Sequence, residues 1–315
     1  MLALKQKAVT RWEDVFVDVP AEFRCESGDA LPDAHVRVRV HGDLSRPFVV
    51  VAGGISSGRC LDDWWGDQVG DRLAIDLTRY CALGFDFSPT EDLRLRLSPR
   101  DQARLVAIAL DQLGVGRVFA WVGASYGAMV GLAFAADAPE RLQRLCAISA
   151  AHRPAALARG WRGVQRRVVE FALEHDAAGE GLSLARQLAM ITYRSAEEFD
   201  ARFPGGVGAD GRSDLDHYLV ARGDAYVEAM APRRWLTLSE SIDRLALDPA
   251  CVRAEVTLAA CPTDQIVPLE LVQDLSRRVP HLRALHELPS LYGHDAFLKE
   301  PAQVAAIITS CLEGA

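Results

Sequence analysis

The 315-residue sequence has no apolar run approaching the ~18 residues that a membrane-spanning helix needs, so no transmembrane segment is expected. It has no excess of positive charge either. Its 35 Lys and Arg face 43 Asp and Glu, a formal net charge of −8. Nucleic acid is thereby excluded as the main partner, because neutralising phosphates takes clustered cations. The 7 cysteines, at positions 25, 60, 81, 146, 251, 261 and 311, are odd in number and form no C-x-x-C pair. That spacing argues against both a disulfide framework and a cysteine-rich zinc site. Gly (24) and Pro (15) occur at ordinary abundance and without repeat, so collagen-like and low-complexity architectures are ruled out. The opening stretch, MLALKQKAVTRWEDVF, lacks the apolar core and cleavage site of a secretory signal, and the expected location is the cytoplasm.

What is present is an α/β pattern. Half the residues are hydrophobic and a quarter charged, enough to bury a sizeable core, and the length fits one α/β domain with an insertion. His35 to His41 (HVRVRVH) alternates with period two, as a half-exposed strand does. The run PFVVVAGG that follows is β-branched and stopped by glycines, the pattern of a strand buried on both faces. Cys81–Phe87, Arg117–Val122 and Leu145–Ser149 read as further strands, and Pro99–Leu113 as a helix ending at Gly114. From 152 to about 249 no buried strand is expected. That stretch is rich in Arg, Ala, Leu and Glu at helical spacing, broken by PGGVGADG at 204–211. Strand–helix alternation then resumes, with Glu255–Cys261, a helix from about Pro268 to Arg278, a strand near Ala284–Leu288 and a last helix from about Lys299 to Leu312. The expected organisation is a core formed by 1–150 and 250–315, with a mostly parallel sheet covered by helices on both faces, and a helical lid inserted at 151–249.

The sharpest motif is Gly123-Ala124-Ser125-Tyr126-Gly127, between a buried strand and a small-residue helix. A G-x-S-x-G run in that setting is a nucleophile elbow, a turn so tight that its flanking positions exclude side chains. A base and an orienting carboxylate should follow in the order acid, then histidine. Asp264 lies just past the strand EVTLAAC, and His294, in SLYGHDAF, precedes the final helix. The remaining histidines precede the acid or flank strands. Two backbone N–H groups should form an oxyanion hole. Tyr126, next to the nucleophile, supplies one, and Ile55, in the loop after the Gly-Gly strand end, is chosen for the other.

Three further runs narrow the family. Residues 185–195 (ARQLAMITYRS), the pairs Glu198-Phe199 and Arg202-Phe203, and residues 292–298 (YGHDAFL) closely resemble the homoserine O-acyltransferases, of the homoserine O-acetyltransferase type, within the α/β-hydrolase superfamily. The similarity runs from about residue 47 to the C-terminus. It implies an α/β-hydrolase fold and the transfer of an acetyl or succinyl group from acyl-CoA, a co-substrate, to the hydroxyl of L-homoserine for methionine synthesis. No metal or redox cofactor is implied, and a homodimer through the inserted helices is. The resemblance assigns Ser125, Asp264 and His294 as the triad and places Arg186, Tyr193 and Asp295 around the acceptor. The assignment is chemically coherent. Homoserine is a zwitterion, and Arg186 offers a bidentate fork to its carboxylate while Asp295 can hold its ammonium. Arg186 and Tyr193 are seven residues apart, two helical turns, and so share a face.

The sequence also departs from the family. Phe85 to Asp92 is short and acidic where the family has a glycine-rich loop, Gly127-Ala128 replaces a Gly pair, and Ala231–Leu236 (APRRWL) replaces an acidic, aromatic segment. Alternatives on the same triad are acyl transfer to another hydroxyl such as that of serine, or ester hydrolysis. A catalytically inert interaction module is a further alternative, opposed by the complete triad. A succinyl donor calls for another cation, for which Arg59, Arg153 and Arg162 are equal candidates.

Overall fold

The computed structural model describes residues 12–31, 34–88 and 95–314. Eight strands form one sheet: β1 (Trp12–Asp18), β2 (His35–His41), β3 (Phe48–Ala52), β4 (Cys81–Phe85), β5 (Val118–Ala124), β6 (Leu142–Ile148), β7 (Glu255–Ala260) and β8 (Leu282–Glu287). Their spatial order is β1-β2-β4-β3-β5-β6-β7-β8. β2 pairs antiparallel with both β1 and β4, and all later neighbours are parallel. The expected α/β fold with a mostly parallel sheet is therefore present.

The continuous apolar run of β3 has a simple cause. Successive side chains of a strand point to opposite faces. Val49 and Val51 join the hydrophobic cluster that holds α1 (Leu61–Trp65) and the C-terminal helix Pro301–Glu313. Phe48, Val50 and Ala52 join the cluster on the other face, with α2 (Pro99–Gln112) and α3 (Tyr126–Asp137). A strand covered on both faces leaves no position for a polar residue. Helix α3 is buried along most of its length, so it is apolar all round and shows no stripe. Helix α2 instead starts from local chemistry: Ser98 and Asp101 form a reciprocal capping box, with Pro99 in the first turn.

Between β6 and β7 the chain is helical: α4 (Ala156–Glu174), α5 (Ala178–Tyr193), α6 (Ala196–Arg202), α7 (Asp214–Ala229) and α8 (Pro232–Ile242). Four of these share a small cluster of their own around Val169, Leu182, Tyr226 and Trp235. Ile55, in the loop after β3, packs against both this cluster and the main core. After β7 come α9 (Leu269–Arg278), α10 (Ala296–Lys299) and α11 (Pro301–Glu313). Among the described residues, no helix is long and apolar enough to cross a membrane.

The structure adds an element the sequence pattern did not show. Strand β1 is an edge strand in which only Val17 is buried, so it carries no burial signal. Its pairing is reinforced by side chains. Arg39 of β2 makes a two-pronged ion pair with Asp14, at 2.7 Å for each bond, and its guanidinium lies 3.7 Å from the Trp12 ring centre. Strand β6 begins at Leu142, three residues ahead of the expected Leu145, because the segment after Pro139–Arg141 runs straight into the sheet. Of the shortened loop at 85–92, residues 89–92 lie outside the described residues.

Candidate active site

Strand β5 delivers Ser125 to the sheet's C-terminal edge, and α3 begins at the next residue. The turn between them forces Ser125 to φ 52°, ψ −122°, a strained conformation for a residue with a side chain. It holds because the surroundings leave no alternative. The Gly127 N–H donates to the Gly53 carbonyl at 2.7 Å, and a Cβ on Gly127 would run into the backbone of Ala52. Two strand ends are thus clamped together with the serine between them.

The two partners arrive from later loops. His294 Nε2 lies 2.8 Å from Ser125 Oγ, and its Nδ1 lies 2.7 Å from Asp264 Oδ2. The second carboxylate oxygen, Oδ1, accepts from the N–H groups of Ile266 and Val267 at 2.8 and 2.9 Å, which fixes the carboxylate plane. Asp264 and His294 are 4% and 5% exposed, so water competes weakly for these bonds. Burial pushes the imidazole pKa down, but the Asp264 charge and hydrogen bond, with help from Asp295, outweigh it and hold the pKa above the ordinary histidine value. Gly293 (φ 53°) is required beside it. A side chain there would strike the Tyr193 carbonyl, where the end of α5 crosses the histidine loop.

Ser125 and His294 open into a cavity of about 200 Å³ that Ile55, Arg186, Tyr193 and Asp295 also line. The expected residues are therefore brought to one place. The Tyr193 ring lies 5.6 Å from the His294 ring, centre to centre. The Arg186 guanidinium sits 4.6 Å from the Tyr226 ring centre and 5.6 Å from that of Tyr193, with no carboxylate partner among the described residues. Asp295 is differently placed. It receives a 3.3 Å contact from Arg194 Nε, and Arg194 in turn donates to Glu198 at 2.8 Å. Arg202 also reaches Glu198, at 3.5 Å, so two cations face two anions, and Asp295 is held in position by the longer of the Arg194 contacts. In the loop after β3, the N–H groups of Gly53 and Ser57 are spent on Ser57 Oγ and the Gly54 carbonyl, whereas that of Ile55 is not used within the loop. Tyr126 is the first residue of α3, and the first N–H groups of a helix have no partner within it. Its hydroxyl points elsewhere, pairing with Ser241 Oγ at 2.6 Å.

Sequence reasoning used Arg194 and Glu198 only as part of the family resemblance, without a role for either, and did not single out Tyr226. Arg194 lies in the extended turn between α5 and α6, so its pair with Glu198 bridges the start of α6 and is not a pair on one helix face. Tyr226, whose hydroxyl lies 2.9 Å from Ser56 Oγ and ties α7 to the loop after β3, carries no sequence signal. The three arginines that sequence left equal now separate. Arg59 is bound to Asp14 and Asp86 at 3.1 and 2.8 Å and does not line the cavity, whereas Arg153 and Arg162 do. Among the described residues, no group of three His, Cys, Asp or Glu side chains is placed to hold a metal ion.

This strand order, with a serine on the turn after the fifth strand and its relay on the loops that follow β7 and β8, defines an α/β hydrolase, and the sequence profile of the α/β hydrolase fold matches residues 47–301. The chain is 38% identical to the homoserine O-succinyltransferase of Xanthomonas campestris pv. campestris, over 94% of this chain and 85% of that one. It is 30% identical to the homoserine O-acetyltransferase of Deinococcus radiodurans, over 88% and 85%. The crystal structure of homoserine O-acetyltransferase from Staphylococcus aureus superimposes with a TM-score of 0.82, at 23% identity, over 95% of this chain and 94% of that one, and so shares its fold. The chain belongs to the homoserine O-acyltransferase family.

Proposed function

We propose that this protein moves an acyl group, acetyl or succinyl, from acyl-CoA to the hydroxyl of L-homoserine, in methionine biosynthesis. One juxtaposition carries the reading. An unpaired guanidinium, Arg186, and a carboxylate, Asp295, line the same cavity as the Ser125–His294–Asp264 relay. A zwitterionic amino acid needs one site of each sign, and an esterase has no use for the pair.

His294 takes the Ser125 proton as Oγ attacks the thioester carbonyl. The oxyanion is met by the Tyr126 and Ile55 N–H groups, each such donor typically worth about 3 kcal/mol. The C–S bond breaks, and CoA leaves as the thiol with the proton from His294. Homoserine then binds with its carboxylate on Arg186 and its ammonium on Asp295. His294 removes its hydroxyl proton, that oxygen attacks the ester, and Ser125 is released and reprotonated. The chemistry balances without a metal or redox group. Water is the competing acceptor, and the helical insertion serves as the lid that limits it, leaving positioning to favour homoserine. The free thiols fit a cytoplasmic setting.

The test replaces Arg186 with alanine. KM for homoserine is expected to rise on the order of 100-fold, the loss of a charge-assisted pair, while the acyl-enzyme still forms from acyl-CoA. Equal damage to both half-reactions, read by intact-protein mass and steady-state kinetics, would remove Arg186 from the acceptor site.

The same reading includes a homodimer through the insertion. Val164 and Phe171 of α4 and Leu184 of α5, 43%, 64% and 55% exposed, line one apolar groove that a second copy would cover. Sedimentation should show a dimer, and Phe171→Glu should shift it to monomer; a wild-type monomer at micromolar concentration would overturn it.

A further inference from the structure

The acceptor accounts for one cation and one anion of the cavity, Arg186 and Asp295. Another part of the lining, formed by α4 and the residue after β6, carries polar groups that the acceptor does not use. Arg162 is 9% exposed. Its Nε and Nη2 both donate to Asp243 Oδ1, at 2.9 and 2.6 Å. Asp243 Oδ2 lies 2.8 Å from Arg166 Nη1, an ion-pair contact without hydrogen-bond geometry. Two guanidinium groups thus share one carboxylate, and one positive charge is left over. Arg162 Nη1 has no hydrogen-bond partner among the described residues.

Two neighbours are likewise unspent. Gln165, one helical turn beyond Arg162, is 4% exposed, lines the same cavity and makes no hydrogen bond among the described residues. Ser149 is 1% exposed, and its Oγ is buried without a partner. It also lines the cavity, and the pairing of Ala124 with Ile148 sets it beside Ser125. Of the three, only Ser149 Oγ is sealed from water, and a buried hydroxyl is costly to leave unsatisfied; Arg162 and Gln165 instead hold donors open to the cavity they line. The methyl end of an acetyl group offers these groups nothing, whereas a carboxylate can accept from them. Arg153, the third arginine of the lining beside Arg162 and Arg186, is exposed and remains hydrated, so it is the weaker reader of such a charge.

We propose that the acyl group transferred ends in a carboxylate, as in succinyl-CoA, and that Arg162, pinned by Asp243, binds that carboxylate together with Gln165 and Ser149. The inference rests on the acyl-transfer reading above. The carboxylate is a spectator: the thioester C–S bond breaks and the Ser125 ester forms as already written. Holding the far end fixes the carbonyl against Ser125 Oγ, so binding energy remote from the reaction is spent on orientation.

The experiment compares succinyl-CoA with acetyl-CoA, first without acceptor, by intact-protein mass of the Ser125 adduct, then with homoserine, by kcat/KM. The wild type is expected to favour succinyl-CoA in both. Arg162→Met should lower the succinyl-to-acetyl ratio by about 100-fold, the usual consequence of removing one member of a buried charge pair. Asp243 loses both Arg162 hydrogen bonds in that variant and keeps the ion-pair contact with Arg166. Gln165→Leu leaves the ion pair untouched and should move the ratio in the same direction. A wild type that forms the acetyl adduct at least as fast as the succinyl one overturns the proposal, as do variants that slow both donors equally. If the succinyl adduct forms preferentially but O-acylhomoserine never appears, the donor assignment stands and the homoserine reading fails.

Discussion

Replacing Ser125 with alanine is expected to reduce kcat for acyl transfer by about 10⁵–10⁶-fold and to abolish the acyl adduct. The loss is this large because the other parts of the site act through the serine. His294 bonds Ser125 Oγ on one side and Asp264 on the other, and the oxyanion that the Tyr126 and Ile55 N–H groups are proposed to stabilise forms only when Oγ attacks. The fold should survive. The clamp between Gly127 and Gly53 does not involve the hydroxyl, and alanine meets the same backbone strain as serine at φ 52°. Intact-protein mass spectrometry after incubation with acyl-CoA decides the matter. An adduct of undiminished yield on the variant would transfer the nucleophile's role to another side chain.

Asp264→Asn is expected to cost about 10⁴-fold in kcat, since an amide at that place neither fixes the required tautomer nor stabilises the imidazolium. A second signature separates this from a general loss of structure. In the wild type, His294 holds its proton to a higher pH than an ordinary histidine, because the Asp264 charge outweighs burial. Only the neutral imidazole acts as a base, so the acid limb of kcat/KM should fall above pH ~6.5. With the charge removed, burial dominates and the limb should move to lower pH even as the rate collapses. An unmoved limb, or a loss under about tenfold, would contradict the relay.

The relay was readable in the sequence because each member stands next to something that is. Ser125 follows a buried apolar run, Asp264 ends another, and His294 precedes the last helix, so order along the chain substitutes for coordinates. Arg186, Tyr193 and Asp295 came through family resemblance, since a lone arginine on a helix has no pattern that distinguishes it from a solvated one. What stayed hidden depends on pairing between distant segments. Arg162 and Asp243 are 81 residues apart, and their two bonds reflect the packing of α4 beside α8. Without that partner, Arg162 could not be ranked against Arg59, which the structure assigns to Asp14 and Asp86 instead. Strand β1 was missed for a related reason: it is held by an edge ladder and the Arg39–Asp14 pair, and neither leaves a periodic apolar trace.

The crossing of α5 over the histidine loop has a consequence for traffic through the enzyme. Next to the spot where Gly293 meets the Tyr193 carbonyl, Ser195 donates to the Leu291 carbonyl through both its N–H and its hydroxyl, and Gln265 reaches the Arg194 carbonyl. The end of α5 is thereby riveted to the loops that carry His294 and Asp264. Swinging that end outward would dismantle the machinery it serves. On the proposed acyl-CoA reading, room for so bulky a donor is expected at the opposite margin, where α4 begins and Arg153 stands in the open, with the insertion fastened along one side only.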